Sequence, residues 1–119
     1  MPHRVERIGA QIQRDISDLL RSQVRDPRLA TMISVTRVEV SSDFKNATVH
    51  VSVLGDDAQK RDMMKGLNAA SGFLRRELTR RLNLRRSPEL MFKMDESMEQ
   101  AARVLKLLDD IGQQDSGKS

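Results

Sequence analysis

Arginine side chains dominate the chemistry that this sequence offers, and their densest group lies in residues 70–86, ASGFLRRELTRRLNLRR. Glu77 is the only acid beside six arginines, so this stretch has a net charge of +5, whereas the whole chain has +4. Positive charge that is concentrated in one place is typical of a contact surface for polyanions. The six candidates for phosphate contact are Arg75, Arg76, Arg80, Arg81, Arg85 and Arg86.

A helix is predicted to position most of these arginines. Leucine or alanine recurs at spacings of three and four through residues 67–82, which indicates a helix with a buried apolar stripe. On a helical wheel of about 100° per residue, Arg76 and Arg80 lie opposite that stripe and Arg81 lies on its flank. The alternative interpretation is an ordinary solvated helix face.

A second arginine group lies near the N-terminus, on a predicted amphipathic helix over residues 4–24. Isoleucine, leucine and valine form its apolar arc of about 120°, and a narrow arginine seam lies opposite. Such a helix can pack on a core and still contact phosphates. An ordinary solvated face is again the alternative, because Asp18 lies close to the seam. The predicted contacts here are Arg7, Arg14, Arg21, Arg25 and Arg28, the last two beside Asp26-Pro27, where the helix is expected to end.

The composition narrows the class of protein. The 119 residues are enough for one compact domain, and no apolar run is long enough to span a bilayer. The absence of cysteine excludes disulfides and thiol chemistry, and a cytoplasmic location is expected. The pI near 10.0 favours nucleic acid or another anionic surface as a partner. Because Phe44, Phe73 and Phe92 are the only aromatic residues, recognition is expected to rely on phosphates and shape more than on base stacking.

The remaining elements give an α+β pattern. Residues 33–41 and 47–53 are predicted strands joined by a short turn, which favours antiparallel pairing. Val35 is out of phase with Val38 and Val40, which indicates a bulge or a partly covered second face. A helix is expected over residues 58–69.

Gly72 is interpreted as a kink between that helix and a following one that reaches residue 83, with Ala70 and Ser71 as its neighbours. A third strand is predicted over residues 90–94, followed by a last helix. Residues 1–111 are therefore expected to form a single domain, and residues 112–119 a disordered polar tail.

Catalytic groups are sparse in this sequence. His3 and His50 are far apart, and the alternation of its strand places His50 on the solvent side. The aspartate pairs at residues 56–57 and 109–110 fit capping and solvation. No phosphate-binding glycine loop and no metal-ligand spacing is present. We therefore expect no enzyme activity, no catalytic residue, no metal, no cofactor and no small-molecule substrate.

The order of elements resembles the type II KH fold, an RNA-binding α+β fold whose phosphate clamp is Gly-x-x-Gly between two helices. Here the corresponding position holds Ala70-Ser71-Gly72. A KH-like domain with Ala-x-Gly at this junction and an additional C-terminal helix resembles the ribosome-binding factor A family. Three further segments carry the resemblance: Arg25-Asp26-Pro27-Arg28; Val38-Glu39-Val40-Ser41 with Asp43 and Ala47; and Pro88-Glu89-Leu90-x-Phe92 with Asp95 and Ser97.

The resemblance implies a bacterial assembly factor of the small ribosomal subunit. It implies binding to free 30S subunits and 16S rRNA, help in late 16S rRNA maturation and 5′ end processing, and a role in growth in the cold. No membrane partner and a monomeric state are expected. The alternative hypothesis is a protein-interaction module whose basic helices bind an acidic protein partner.

Overall fold

Three helices and three strands make up the computed structural model, which describes residues 2–24, 29 and 32–117. The predicted contacts Arg25 and Arg28 lie outside the described residues. Among these residues, no helix is long and apolar enough to cross a membrane. The elements in chain order are α1 (Pro2–Ser22), β1 (Ile33–Val40), β2 (Asn46–Val53), α2 (Asp57–Arg81), β3 (Glu89–Met94) and α3 (Ser97–Gly117).

The three strands form one sheet in the order β1-β2-β3. Strand β1 pairs antiparallel with β2, as the short turn between them predicts, and β3 pairs parallel with β2. The register of the β1–β2 pair shifts between Val35 and Arg37. This irregularity leaves Thr36 unpaired and accounts for the phase of Val35, so the predicted bulge is confirmed.

The core lies between one face of the sheet and two helices. Ala47, Val49 and Val51 point inward from the central strand and are fully buried. The apolar stripes of α1 and α2 pack against them in a single cluster, which includes Ile12 and Leu74. Both helices therefore cover the same face of the sheet, and their polar sides point to the same side of the molecule. This α+β arrangement confirms the type II KH-like architecture.

The prediction that Gly72 separates two helices is wrong. Helix α2 runs without interruption for 25 residues through Ala70, Ser71 and Gly72. A glycine costs a helix about 1 kcal/mol relative to alanine, which is a small term beside the burial of Leu67 and Leu74 on either side of it.

The start of α2 is further stabilised by a capping box. The Asp56 side chain accepts from the backbone N–H of Gln59, and the Gln59 side chain accepts from the backbone N–H of Asp56.

The expectation that His50 faces solvent is also wrong, because only 7% of this residue is exposed. Its strand is central, and Arg37 of β1 and Lys93 of β3 are its register partners on the two sides. The long side chains of an outer sheet face can cover a smaller residue between them. Its Nε2 lies 3.4 Å from a carboxylate oxygen of Glu39.

Helix α3 differs from its predicted length. It extends to Gly117, beyond the predicted domain boundary at residue 111. Residues 100–112 of this helix are exposed, including Val104, Leu105 and Leu108. Disorder of the polar tail stays a prediction.

Candidate nucleic-acid interface

The arginine seam of α1 is exposed as its spacing predicts. Arg7, Arg14 and Arg21 lie on the side of the helix that faces away from the sheet. The Arg14 guanidinium donates to the side-chain oxygen of Gln11 at 2.8 Å, a contact within the helix surface that leaves other N–H groups of this side chain for a partner. Arg14 and Arg21 line the same shallow groove along α1, together with Ala10, Gln13 and Ser17.

The second exposed pair, Arg76 and Arg80, lies on the outer side of α2. The Arg80 side chain is 78% exposed, and its Nη1 lies 3.2 Å from Glu77 one turn earlier. An exposed pair of this kind contributes little to stability. Arg80 can therefore exchange Glu77 for a phosphate at low cost.

Arg81, which was predicted to contact phosphate from the flank of the helix, forms ion pairs with acidic residues of α1. Its Nη1 donates to Asp18 Oδ2 at 2.8 Å and lies 3.6 Å from Asp15 Oδ1. The hydrogen bond to Asp18 raises the pKa of this guanidinium above its ordinary value. Arg81 thus links α2 to α1, and two carboxylates already balance its charge.

Arg75, Arg85 and Arg86 belong to a separate surface at the end of the domain, near the β1–β2 turn. All three line a cleft that also includes Lys45, a cation that periodicity gave no reason to select. Arg75 lies 3.4 Å from Glu89, and its Nε is buried without a hydrogen-bond partner in the described part of the protein.

The structure therefore sorts the predicted contacts into two surfaces. We call the outward sides of α1 and α2 the helical surface. It carries the exposed arginines at positions 7, 14, 21, 76 and 80. We call the region beside the β1–β2 turn the turn surface, with Arg75, Arg85 and Arg86.

The Ala-x-Gly segment contributes no side chain to either surface. Ala70 packs against the core, and Gly72 is exposed in regular helix. A Cβ added at Gly72 would lie 3.8 Å from its nearest neighbour, Arg76 Nη1. Within the described residues, no group of three or more acidic or histidine side chains is arranged to hold a metal ion.

The fold and the helical surface define a KH-like α+β domain with an arginine-rich face. The family model for ribosome-binding factor A matches residues 4–108. Ribosome-binding factor A of Thermosynechococcus vestitus is 50% identical over 114 residues, which cover 95% of this chain and 90% of that protein. The chain belongs to the ribosome-binding factor A family.

Solved structures agree with this assignment. The crystal structure of ribosome-binding factor A from Thermus thermophilus superposes with a TM-score of 0.66 at 27% identity, covering 76% of this chain and 94% of that one. A homology model of the Thermus thermophilus factor, fitted into the cryo-electron-microscopy map of its 30S complex, superposes with a TM-score of 0.64 at 25% identity. It covers 77% of this chain and 96% of that one.

Proposed function

We propose that this protein binds free 30S subunits and assists the late maturation of 16S rRNA, including processing of its 5′ end, without catalysing a reaction itself. The observation that carries the proposal is the helical surface, where five arginines are exposed on two helices that share one core. A relative of the same fold occurs in a 30S complex. A cytoplasmic location, a monomeric state and a role in growth in the cold belong to the same proposal.

Phosphate contacts explain how such a surface binds folded rRNA. The helices that carry the arginines are anchored by fully buried residues such as Ile16 and Leu78. The guanidinium groups are therefore presented from a rigid layer, and less ordering is needed when the protein binds. Arginine is suited to this task because its planar fork matches a phosphate with two hydrogen bonds.

The experiment is co-sedimentation of the full chain with free 30S subunits and with assembled ribosomes over a series of salt concentrations. The wild-type protein should sediment with free subunits and not with assembled ribosomes. Replacing Arg76 and Arg80 together by alanine should weaken binding and flatten the salt dependence by roughly one unit of slope per lost contact. The double variant of Arg7 and Arg14 should behave in the same way.

A matched control is Arg37→Ala. Arg37 resembles Arg80 in its exposure and in its ion pair, which joins its Nη2 to Glu39 at 3.0 Å. It lies on the opposite face of the sheet from the two helices, so its loss should leave binding unchanged. Equal effects of all three variants would reduce the proposal to nonspecific charge attraction. Unchanged binding in both double variants would contradict the role of the helical surface and favour the alternative of an acidic protein partner.

A further inference from the structure

Two adjoining clefts lie at the end of the domain where α1, the β1–β2 turn and the connection from α2 to β3 meet. The first is apolar, with a volume of about 450 Å³, and its walls include Ile8, Val40 and Pro88. The second, which we call the charged cleft because most of its lining residues are charged, has a volume of about 760 Å³. Each volume falls in the range of small-ligand sites. Four residues line both clefts and form their shared wall: Phe44, Leu84, Arg85 and Arg86.

One residue of this wall has an unfavourable backbone conformation, because Phe44 has a φ of 60°. Asn83, which precedes Leu84, has a φ of 52°, but it follows the end of α2, where asparagine commonly adopts this region, and its N–H donates to the Arg80 carbonyl. Among the described residues, these two are the non-glycine residues with positive φ. A bulky side chain rarely adopts this region, and such strain persists where the surroundings enforce it, often at binding sites.

Hydrogen bonds hold the turn that carries Phe44. The Asp43 carboxylate accepts from Ser41 Oγ at 2.6 Å and from the backbone N–H of Lys45 at 3.0 Å. These two bonds, with the Ser41 hydroxyl first, lower the pKa of Asp43. The backbone N–H of Glu89 donates to the Lys45 carbonyl at 2.8 Å, which fixes the turn to the start of β3. The backbone that carries Phe44 is thereby fixed before any ligand arrives.

Phe44 also differs from the other aromatic residues. Phe73 and Phe92 pack against the hydrophobic core, whereas Phe44 lines the two clefts. Its position thus places one aromatic side chain at a surface that is otherwise poor in aromatics.

Positive charge predominates among the residues of the charged cleft. Its cations are Lys45, Arg75, Arg85 and Arg86, and its acids are Asp43 and Glu89. Asp43 is occupied within the turn, and Glu89 lies against Arg75. Arg85 and Arg86 are exposed. The cleft therefore favours an anion next to an apolar wall.

We propose that the two clefts together bind one unstacked nucleotide of RNA, with its base against Phe44 in the apolar cleft and its phosphate beside Arg85 and Arg86. This inference rests on the proposed function, in which the partner is rRNA, and adds a specific site to it. A nucleotide combines an aromatic face with a negative charge and so fits both clefts. An apolar side chain of a protein partner would make no use of the positive charge of Arg85 and Arg86.

The test uses the full-length protein and a short single-stranded RNA that carries 2-aminopurine at its centre. The protein has no Trp or Tyr, so the base analogue is the only strong emitter. Binding should change its fluorescence. Phe44→Ala should weaken binding about 5- to 150-fold, the range expected for the loss of one base–aromatic stack. An RNA that lacks the central base should bind the wild-type protein and Phe44→Ala equally.

Two further variants separate the ring from the turn. Phe44→Asn removes the ring but suits positive φ, so it should keep the melting temperature and still lose affinity for the RNA. Met91→Ala is the control, since Met91 is an apolar side chain 60% exposed on the other face of the sheet. Its affinity should equal that of the wild type.

Three results would overturn the nucleotide site. The first is that both Phe44 variants bind the RNA with the affinity of the wild type. The second is that the wild type does not bind the RNA although it still sediments with 30S subunits. The third is that the variants lose binding to the subunit but keep binding to the RNA. The last result would assign the cleft to a ribosomal protein side chain. Binding of the RNA through Phe44 without sedimentation with 30S subunits would support the site and overturn the proposed function.

Discussion

Two helical glycines should respond to alanine with opposite signs. In a helix interior, alanine is favoured over glycine by about 1 kcal/mol. At Gly72 the new Cβ would meet only Arg76 Nη1 at 3.8 Å, which is ordinary contact. We therefore expect Gly72→Ala to raise the free energy of unfolding by about 0.5–1 kcal/mol.

Gly9 lies where α1 approaches β1 closely. A Cβ there would lie 2.7 Å from the backbone oxygen of Val38, closer than such atoms pack. A strand carbonyl cannot rotate away as a side chain can, so the helix must move outward. Overpacking of this kind costs about 1–3 kcal/mol. It outweighs the helix preference, and Gly9→Ala should lower the free energy of unfolding by up to about 2 kcal/mol.

Urea unfolding followed by circular dichroism measures both changes in one assay, because both glycines lie in helices and the helical signal reports unfolding of each variant. Thermal melts should show a shift of about 2–4 °C upward for Gly72→Ala. A fall in stability for Gly72→Ala would mean that the backbone at residue 72 is not regular helix. A rise for Gly9→Ala equal to that of Gly72→Ala would contradict the close approach of α1 to Val38. Subunit binding by Gly72→Ala should equal that of the wild type, since this residue lies in continuous helix.

Two further predictions concern polar contacts between elements. Arg81→Gln should lower the free energy of unfolding by about 0.5–1 kcal/mol, and by less at high salt, because the ion pair between Arg81 and Asp18 is partly exposed. A double-mutant cycle with Asp18→Asn measures the coupling between the two side chains. Additive effects of the two substitutions would show that the pair does not contribute to stability. Hydrogen bonds from Ser97 and from the Thr36 hydroxyl hold the pKa of Asp95 well below its ordinary value of 3.8. The lowered pKa means that this stabilisation is complete above about pH 4 and is lost as the pH falls below that value. Asp95→Asn should therefore flatten the acid side of the stability curve, and an unchanged acid limb would show that Asp95 gains nothing on folding.

Local patterns in the sequence determined most of the elements. The 3.6-residue period of α1 and of α2 predicted their buried stripes, because side chains three and four apart share a helix face. The phase of Val35 against Val38 and Val40 offered a bulge as one of two explanations, and the register shift in β1 decides for the bulge. Exposure of Arg76 and Arg80 followed from the same periodicity. Membership of the family was indicated separately, by a resemblance that several motifs carry in order.

Tertiary structure decided what those patterns cannot encode. Asp18 and Arg81 are 63 residues apart in sequence, and only the packing of α1 on α2 brings their charges to 2.8 Å. His50 is buried between its register partners Arg37 and Lys93 on the two neighbouring strands, although its own strand alternates correctly. The continuity of α2 through Gly72 reflects the sum of many buried contacts, which outweighs a single residue's preference. Periodicity determines which way a side chain points from its own helix or strand. The distance between side chains on different elements depends instead on how whole surfaces pack. That distance determines which charged side chains form ion pairs within the protein and which remain available to a partner.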